Sequence, residues 1–364
     1  MNKRMNNTRI FAVDWMKSVA IIFVVLCHTS QPIKNLPVFL ENAFKLGQLG
    51  VQMFFVMSAY LCCKTSKLNN MQQVRQYYIK KLLRLAVPYW FAILFYQLFF
   101  SLISGFHLPV RIETNNHPLG VLINFAMLNN LFPFCSNNVV PGGWSISCIW
   151  IFFLLFPLLI RIQKNLKQSL IGLALSVLGV LVFGIFVTYV FHQFIENNYF
   201  YYFFFIAQLP CFEVGICLYH FEKQGHKKIN TWLCGLLSVL SAFVTVVLFF
   251  AEQSFSVLFM PLSASVTAFF IYLFLLDCVN FKVHIIEKFS ATTMSVFIFH
   301  PIFVYYGIGY TNKILQHFSV NIYPPLLLLI CSIAVLLLSY ITAIWLDKLF
   351  CIPVNWYKKR LQKI

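Results

Sequence analysis

Ten runs of roughly twenty apolar residues divide this chain of 364. A helical run of that length matches the hydrocarbon thickness of a bilayer. Inside lipid no water satisfies backbone N–H and C=O groups, so each run must close its hydrogen bonds within itself, as a helix does. The runs cover approximately residues 11–30, 47–63, 85–105, 144–162, 169–191, 200–220, 231–250, 256–276, 291–310 and 324–347. Composition agrees: 60% of residues are hydrophobic and 10% charged, where a soluble chain carries roughly 25% charge. The expected fold is all-α, a polytopic membrane protein with about ten transmembrane helices, forming a single domain over 1–364 without an appended soluble domain.

A net charge of +17 is compatible with nucleic-acid binding until the positions of the cations are considered. With the N-terminus inside, 22 of the 27 lysines and arginines fall on the inner side, four fall outside and Lys17 lies within the first run. That asymmetry is the positive-inside pattern, and it predicts that both termini are cytoplasmic. Lys3, Arg4 and Arg9 precede the first run as in a signal peptide, but no convincing small-residue cleavage site follows, so the run reads as an uncleaved span. The eleven cysteines show no CxxC pair and no metal-ligand spacing. They read as small buried hydrophobes rather than a disulfide framework.

One apolar stretch does not fit the pattern of spans. Residues 120–132, GVLINFAMLNNLF, are too few to cross and carry Asn124, Asn129 and Asn130. They predict a short re-entrant segment from the outer side, tolerable only where protein buries it.

The first run carries three ionisable residues in FAVDWMKSVAIIFVVLCHTS. In a helix Lys17 and His28 lie about 20° from eclipsed and roughly 16 Å apart along the axis, with Asp14 about 40° from His28. Ionisable groups inside a span are costly and point to function. The plainer alternative is an Asp14–Lys17 interfacial pair and a packing histidine at His28. In the second run, Gly47 and Gly50 permit close helix approach. Ser58 near its inner end is either a site hydroxyl or one bonded back to its own helix. Lys81 and Arg84 in KKLLR share a helix face and suit phosphate, or alternatively anionic lipid heads. Gly142 and Gly143 let backbone approach a ligand closely, and Trp144 reads as an outer-interface residue. Glu213 in the sixth run needs a partner or neutralisation. His300 falls near mid-membrane in the ninth run, where Pro301 frees a backbone carbonyl.

In this order the segments resemble the acyltransferase-3 family of bacterial integral-membrane O-acyltransferases. The matching stretches are DWMK with Lys17, then ten residues, then His28; VQMFFVMSAYL; KKLLR with PYW; PGGWSIS followed by FFLLFP; and SVFIFHP. Two positions depart from the family pattern: Ser147-Cys148-Ile149-Trp150 stands where a glutamate is common, and Ala59 follows Ser58 in place of glycine. The resemblance implies transfer of an acyl group, usually acetyl, from cytoplasmic acyl-CoA to a hydroxyl on an extracytoplasmic glycan or its lipid-linked precursor. It implies His28 as the essential catalytic histidine, acting either as general base or as acyl carrier. Together with the topology it gives Lys17, Ser58, Lys81 and Arg84 to the acyl-CoA (acetyl-CoA) side. Asp14, Gly142, Gly143, Trp144 and His300 fall to substrate binding, with no metal. The implied partners are the donor, the glycan or lipid-linked sugar acceptor and membrane lipid, in a bacterial cytoplasmic membrane, with no nucleic acid. A transporter or flippase without acyl-transfer chemistry is the rival class, since intramembrane Lys17, Glu213 and His300 suit it too. No inverted repeat supports it.

Overall fold

A computed structural model describes residues 11–104, 117–190, 200–225, 230–251, 254–279 and 283–361. Several cations of the charge asymmetry, including Lys3, Arg4, Arg9 and Arg111, lie outside these residues. Among the described residues ten helices are long and apolar enough to cross a membrane. Spans one to five are Phe11–Ser30, Val38–Thr65, Met71–Phe99, Gly143–Ile162 and Leu166–Tyr189. Spans six to ten are Tyr201–Lys223, Thr231–Phe250, Phe259–Cys278, His284–His317 and Pro324–Tyr357. Among the described residues there is no strand, and the protein is an all-α polytopic membrane protein.

Burial divides the spans. Span six is 72% buried and span two 67%, against 22% for span five and 11% for span seven. Spans five and seven therefore face outward over most of their surface, while one, two, six and nine form the centre. Close approach at the centre comes from small residues. A Cβ on Gly47 would strike the Phe23 carbonyl, one on Gly50 the Ala20 carbonyl, and one on Gly215 the Val56 carbonyl. Span two is thereby pressed against spans one and six with backbone almost on backbone. Lys64 joins spans two and six again near the C-terminal ends of both, 2.7 Å from Glu222, and Tyr60 donates to the same carboxylate.

Three spans are longer than the apolar runs suggest. The helix containing span three starts at Met71, span nine starts at His284, and the helix of span ten continues to Leu361. Cations lower local hydropathy, but they do not interrupt i→i−4 bonding, and long basic side chains place their charges away from apolar surroundings. KKLLR is accordingly part of span three and not a loop before it.

The re-entrant segment is built from its asparagines. Tyr89 of span three donates to Asn124 Oδ1 at 2.7 Å, and Trp90 Nε1 donates to the Phe125 carbonyl at 2.8 Å. Asn129 donates to the Ser136 carbonyl at 2.7 Å. Asn124, Asn129 and Asn130 are buried, which satisfies the condition for irregular backbone at membrane depth.

Candidate active site

At the Lys17 end of span one, the inner end if the charge asymmetry sets the orientation, Lys17, Ser58, Lys81 and Arg84 line one cavity of about 530 Å³. They come from spans one, two and three, so the cavity gathers residues distant in sequence. Lys81 Nζ lies 2.9 Å from Cys62 Sγ and 4.3 Å from the Phe153 ring centroid, which fixes a side chain that would otherwise be mobile. Asp347 of span ten lines the same cavity and accepts a short hydrogen bond from Ser295. Sequence reasoning missed Asp347; an acid near the inner end of an apolar span was the available signal. Asp14 accepts from Ser290 of span nine at 2.5 Å and is buried. Ser290 lines the cavity while Asp14 does not, so Asp14 stands behind the wall and not in the binding space.

The glycine–tryptophan motif sits elsewhere than its apparent outer position suggests. A Cβ on Gly143 would lie 2.6 Å from Tyr89 Oη. Tyr89 is five residues beyond Arg84 on one helix, only about 7.5 Å along the axis. The motif thus lies beside the inner cavity, which Ser145 lines while Gly142, Gly143 and Trp144 do not. Trp144 is buried, stacked on Phe203 at 4.8 Å and edge-on to Phe55 at 6.0 Å, so it is a core residue and not an interface anchor. The cause is the re-entrant segment, which carries the chain down before span four begins. Ser147 fastens that start, its hydroxyl shared between the Met127 carbonyl at 2.7 Å and Asn130 Oδ1 at 2.8 Å. Asn130 also donates to Cys148 Sγ at 3.0 Å. The positions where the family glutamate is common are therefore occupied by this fastening.

At the other end of span one, His28 and His300 meet with ring centroids 5.3 Å apart. His300 lies near the middle of span nine, His284–His317, and meets His28 although His28 stands near the end of span one. Sixteen residues of helix from His284 rise about 24 Å.

Local chemistry fixes both imidazoles. Pro301 has no N–H, so the Phe297 carbonyl loses its i→i−4 partner. His300 Nδ1 lies 2.8 Å from that carbonyl and 3.2 Å from the Val296 carbonyl. Carbonyls only accept, so Nδ1 carries the proton and Nε2 keeps its lone pair. His300 Nε2 is buried with no partner among the described residues. After Pro301 the helix widens into a π-turn over Ile302–Ile308. In an ideal α-helix Tyr305 would lie about 140° from His300. The wider i→i+5 turn rotates it back toward the site. Tyr305 donates to Gln31 Oε1 at 3.0 Å, leaving its oxygen to accept from His28 Nδ1 at 3.4 Å. With Nδ1 donating to Tyr305, the lone pair of a neutral His28 is on Nε2, and Gln31 also hydrogen-bonds the ring. Tyr305 and Gln31 were not legible as site residues, because the register change that joins them to His28 has no signature beyond the proline.

Glu213 lies outside both clusters; its Oε1 accepts from Gln163 Nε2 at 3.1 Å. All eleven cysteines are free. The arrangement therefore separates a cation-lined cavity from a pair of oriented, uncharged-donor imidazoles at the two ends of span one. A family model, Acyl_transf_3, described as an acyltransferase domain, matches residues 10–344. No curated protein matches the chain, and no solved structure does.

Proposed function

Because the chain belongs to the acyltransferase-3 family and is a membrane acyltransferase, we propose that it moves an acyl group, acetyl in the first instance, from cytoplasmic acyl-CoA to a hydroxyl of an extracytoplasmic or lipid-linked glycan. The observation that carries this reading is the division of labour along span one. Lys17, Lys81 and Arg84 give one cavity the cations that a phosphate-rich head needs. His28, its Nδ1 turned to Tyr305, gives the other end an imidazole whose Nε2 can take a proton or an acyl group.

The proposed reaction balances simply. The acceptor oxygen forms a bond to the acyl carbon, the C–S bond breaks, the hydroxyl proton passes to His28 Nε2 and then to the departing CoA sulfur. His300 Nε2, an acceptor without a partner among the described residues, can hold a neighbouring hydroxyl of the same acceptor by a hydrogen bond, leaving the reacting hydroxyl's proton to His28. An acyl-imidazole route uses the same His28 nitrogen, with the thioester attacked first and the acceptor second. Rapid acid quench and mass spectrometry of the His28 peptide separates the two routes.

The orientation we propose puts both termini and the cation-lined cavity in the cytoplasm, in a bacterial inner membrane. A reporter fused after Ile364 and active only outside the cytoplasm would overturn it. The function itself is tested with inside-out membrane vesicles given acetyl-CoA. Release of CoA with ester formation on a glycan is expected. Glycan movement across the membrane without CoA release would favour the transport reading.

A further inference from the structure

Neither His28 nor His300 lines the inner cavity, so an acyl group bound there has a wall to pass. Phe297 belongs to that wall and to the histidine pair at once. It lines the cavity, and its ring centroid lies 6.0 Å from that of His300. Its carbonyl is the one that holds the His300 Nδ1 proton. The tip of its ring rests on Gly142: a Cβ there would lie 2.9 Å from Phe297 Cζ and 3.0 Å from Cε1. Gly142 has φ +79°, a conformation that glycine adopts freely and other residues rarely do. Backbone conformation and ring contact both require a residue without a side chain at 142.

Gly142 is held in turn. Its N–H donates to Asn137 Oδ1 at 2.7 Å, and its carbonyl accepts from Ser145 Oγ at 2.9 Å. The surface that Phe297 closes on is therefore fixed backbone, and the ring is the part that can move. A phenylalanine on a helix has few rotamers, so the ring either sits on Gly142 or swings away from it.

Resting on the acyl-CoA reading above, we propose that Phe297, closed on Gly142, is the residue that sets which acyl groups reach His28. It is a specificity-determining constriction between the donor cavity and the imidazoles, and it selects short acyl chains. An acetyl group adds little beyond the thioester carbonyl and passes the ring edge with a small displacement. Each further methylene has to be accommodated in the same gap. A single methylene in a shaped apolar site changes selection by about 10- to 200-fold.

The test compares acetyl-, butyryl- and octanoyl-CoA in inside-out vesicles that retain their own acceptor, with free CoA measured by chromatography. His28→Ala vesicles give the blank. The quantity read is the octanoyl-to-acetyl rate ratio within each variant, so expression level cancels. Wild type should favour acetyl. Phe297→Ala should raise the ratio by about tenfold or more, and Phe297→Leu should raise it less. Phe297→Leu also keeps most of the side-chain volume, so it decides the matter if the alanine variant fails to fold. An unchanged ratio in a folded Phe297→Leu and Phe297→Ala, or a wild type indifferent to chain length, overturns the constriction alone. A wild type that releases no CoA above the His28→Ala blank from any of the three thioesters overturns the donor reading, and the constriction with it.

Discussion

The two ends of span one are built on opposite principles. The inner end is roomy and charged: Lys17, Lys81, Arg84 and Asp347 surround about 530 Å³. The outer end instead brings two imidazoles together, whose Nδ1 atoms are committed to Tyr305 and to backbone carbonyls. A cavity suits a large ligand held mainly by its phosphates, where cations matter more than exact fit. Proton transfer needs the reverse, a few atoms held in one geometry. The difference implies that mutations at the two ends should separate cleanly, with inner changes acting on donor affinity and outer changes on turnover.

The largest effect tests the outer end. His28→Ala should lower acyl transfer by about 100- to 10,000-fold, the usual contribution of a positioned acid–base group. Acetyl-CoA binding to the purified variant should match wild type, since His28 does not line the cavity. Wild-type turnover in this variant removes His28 from the mechanism. Loss of donor binding would mean that the two ends are not separate sites.

Next comes the inner end. Arg84→Gln should weaken acetyl-CoA binding by about ten- to a hundredfold, the equivalent of a lost charge-assisted hydrogen bond of about 1.5–3 kcal/mol. Calorimetry at low and moderate salt reads it directly. Unchanged affinity at both would leave Arg84 as a lipid-facing anchor and require another cation to hold the donor. Arg84 is a cleaner target than Lys17, because Lys17 shares its helix turn with buried Asp14.

The inner end was the more legible of the two in sequence. Helical periodicity puts Lys17 and His28 on one face, and span counting brings Lys17, Ser58, Lys81 and Arg84 to one level; they do line one cavity. Asparagines in 120–132 mark a segment too polar for lipid, and it is indeed sewn into protein. What sequence did not yield was depth. Trp144 looks like an interface tryptophan by type, but the hydrogen bonds of Asn124, Asn129 and Ser147 draw the start of span four down beside Tyr89. His300 does lie mid-way along span nine, and only the fold shows that it meets His28 near the end of span one. Phe297 is one of 42 phenylalanines, and only its contact with Gly142 distinguishes it.

The smallest expected effect is the sharpest test of how the outer end is organised. Tyr305 reaches His28 only because the helix widens after Pro301, and its hydroxyl proton is taken by Gln31. Tyr305→Phe removes the oxygen that accepts from His28 Nδ1 and leaves the ring that packs against the imidazole at 6.4 Å. The contact is long at 3.4 Å, so the loss is that of a weak neutral hydrogen bond, about 0.5–1.5 kcal/mol. Turnover should fall about two- to tenfold, with acetyl-CoA affinity unchanged. The Tyr305→Phe and His28→Ala effects should also fail to add, since the tyrosine acts only through the imidazole. Tyr305→Phe that costs as much as His28→Ala would make Tyr305 a direct participant in the chemistry. A variant with full turnover would mean that His28 is oriented by packing alone, and that the outer end owes its order to the His300 side and not to the π-turn.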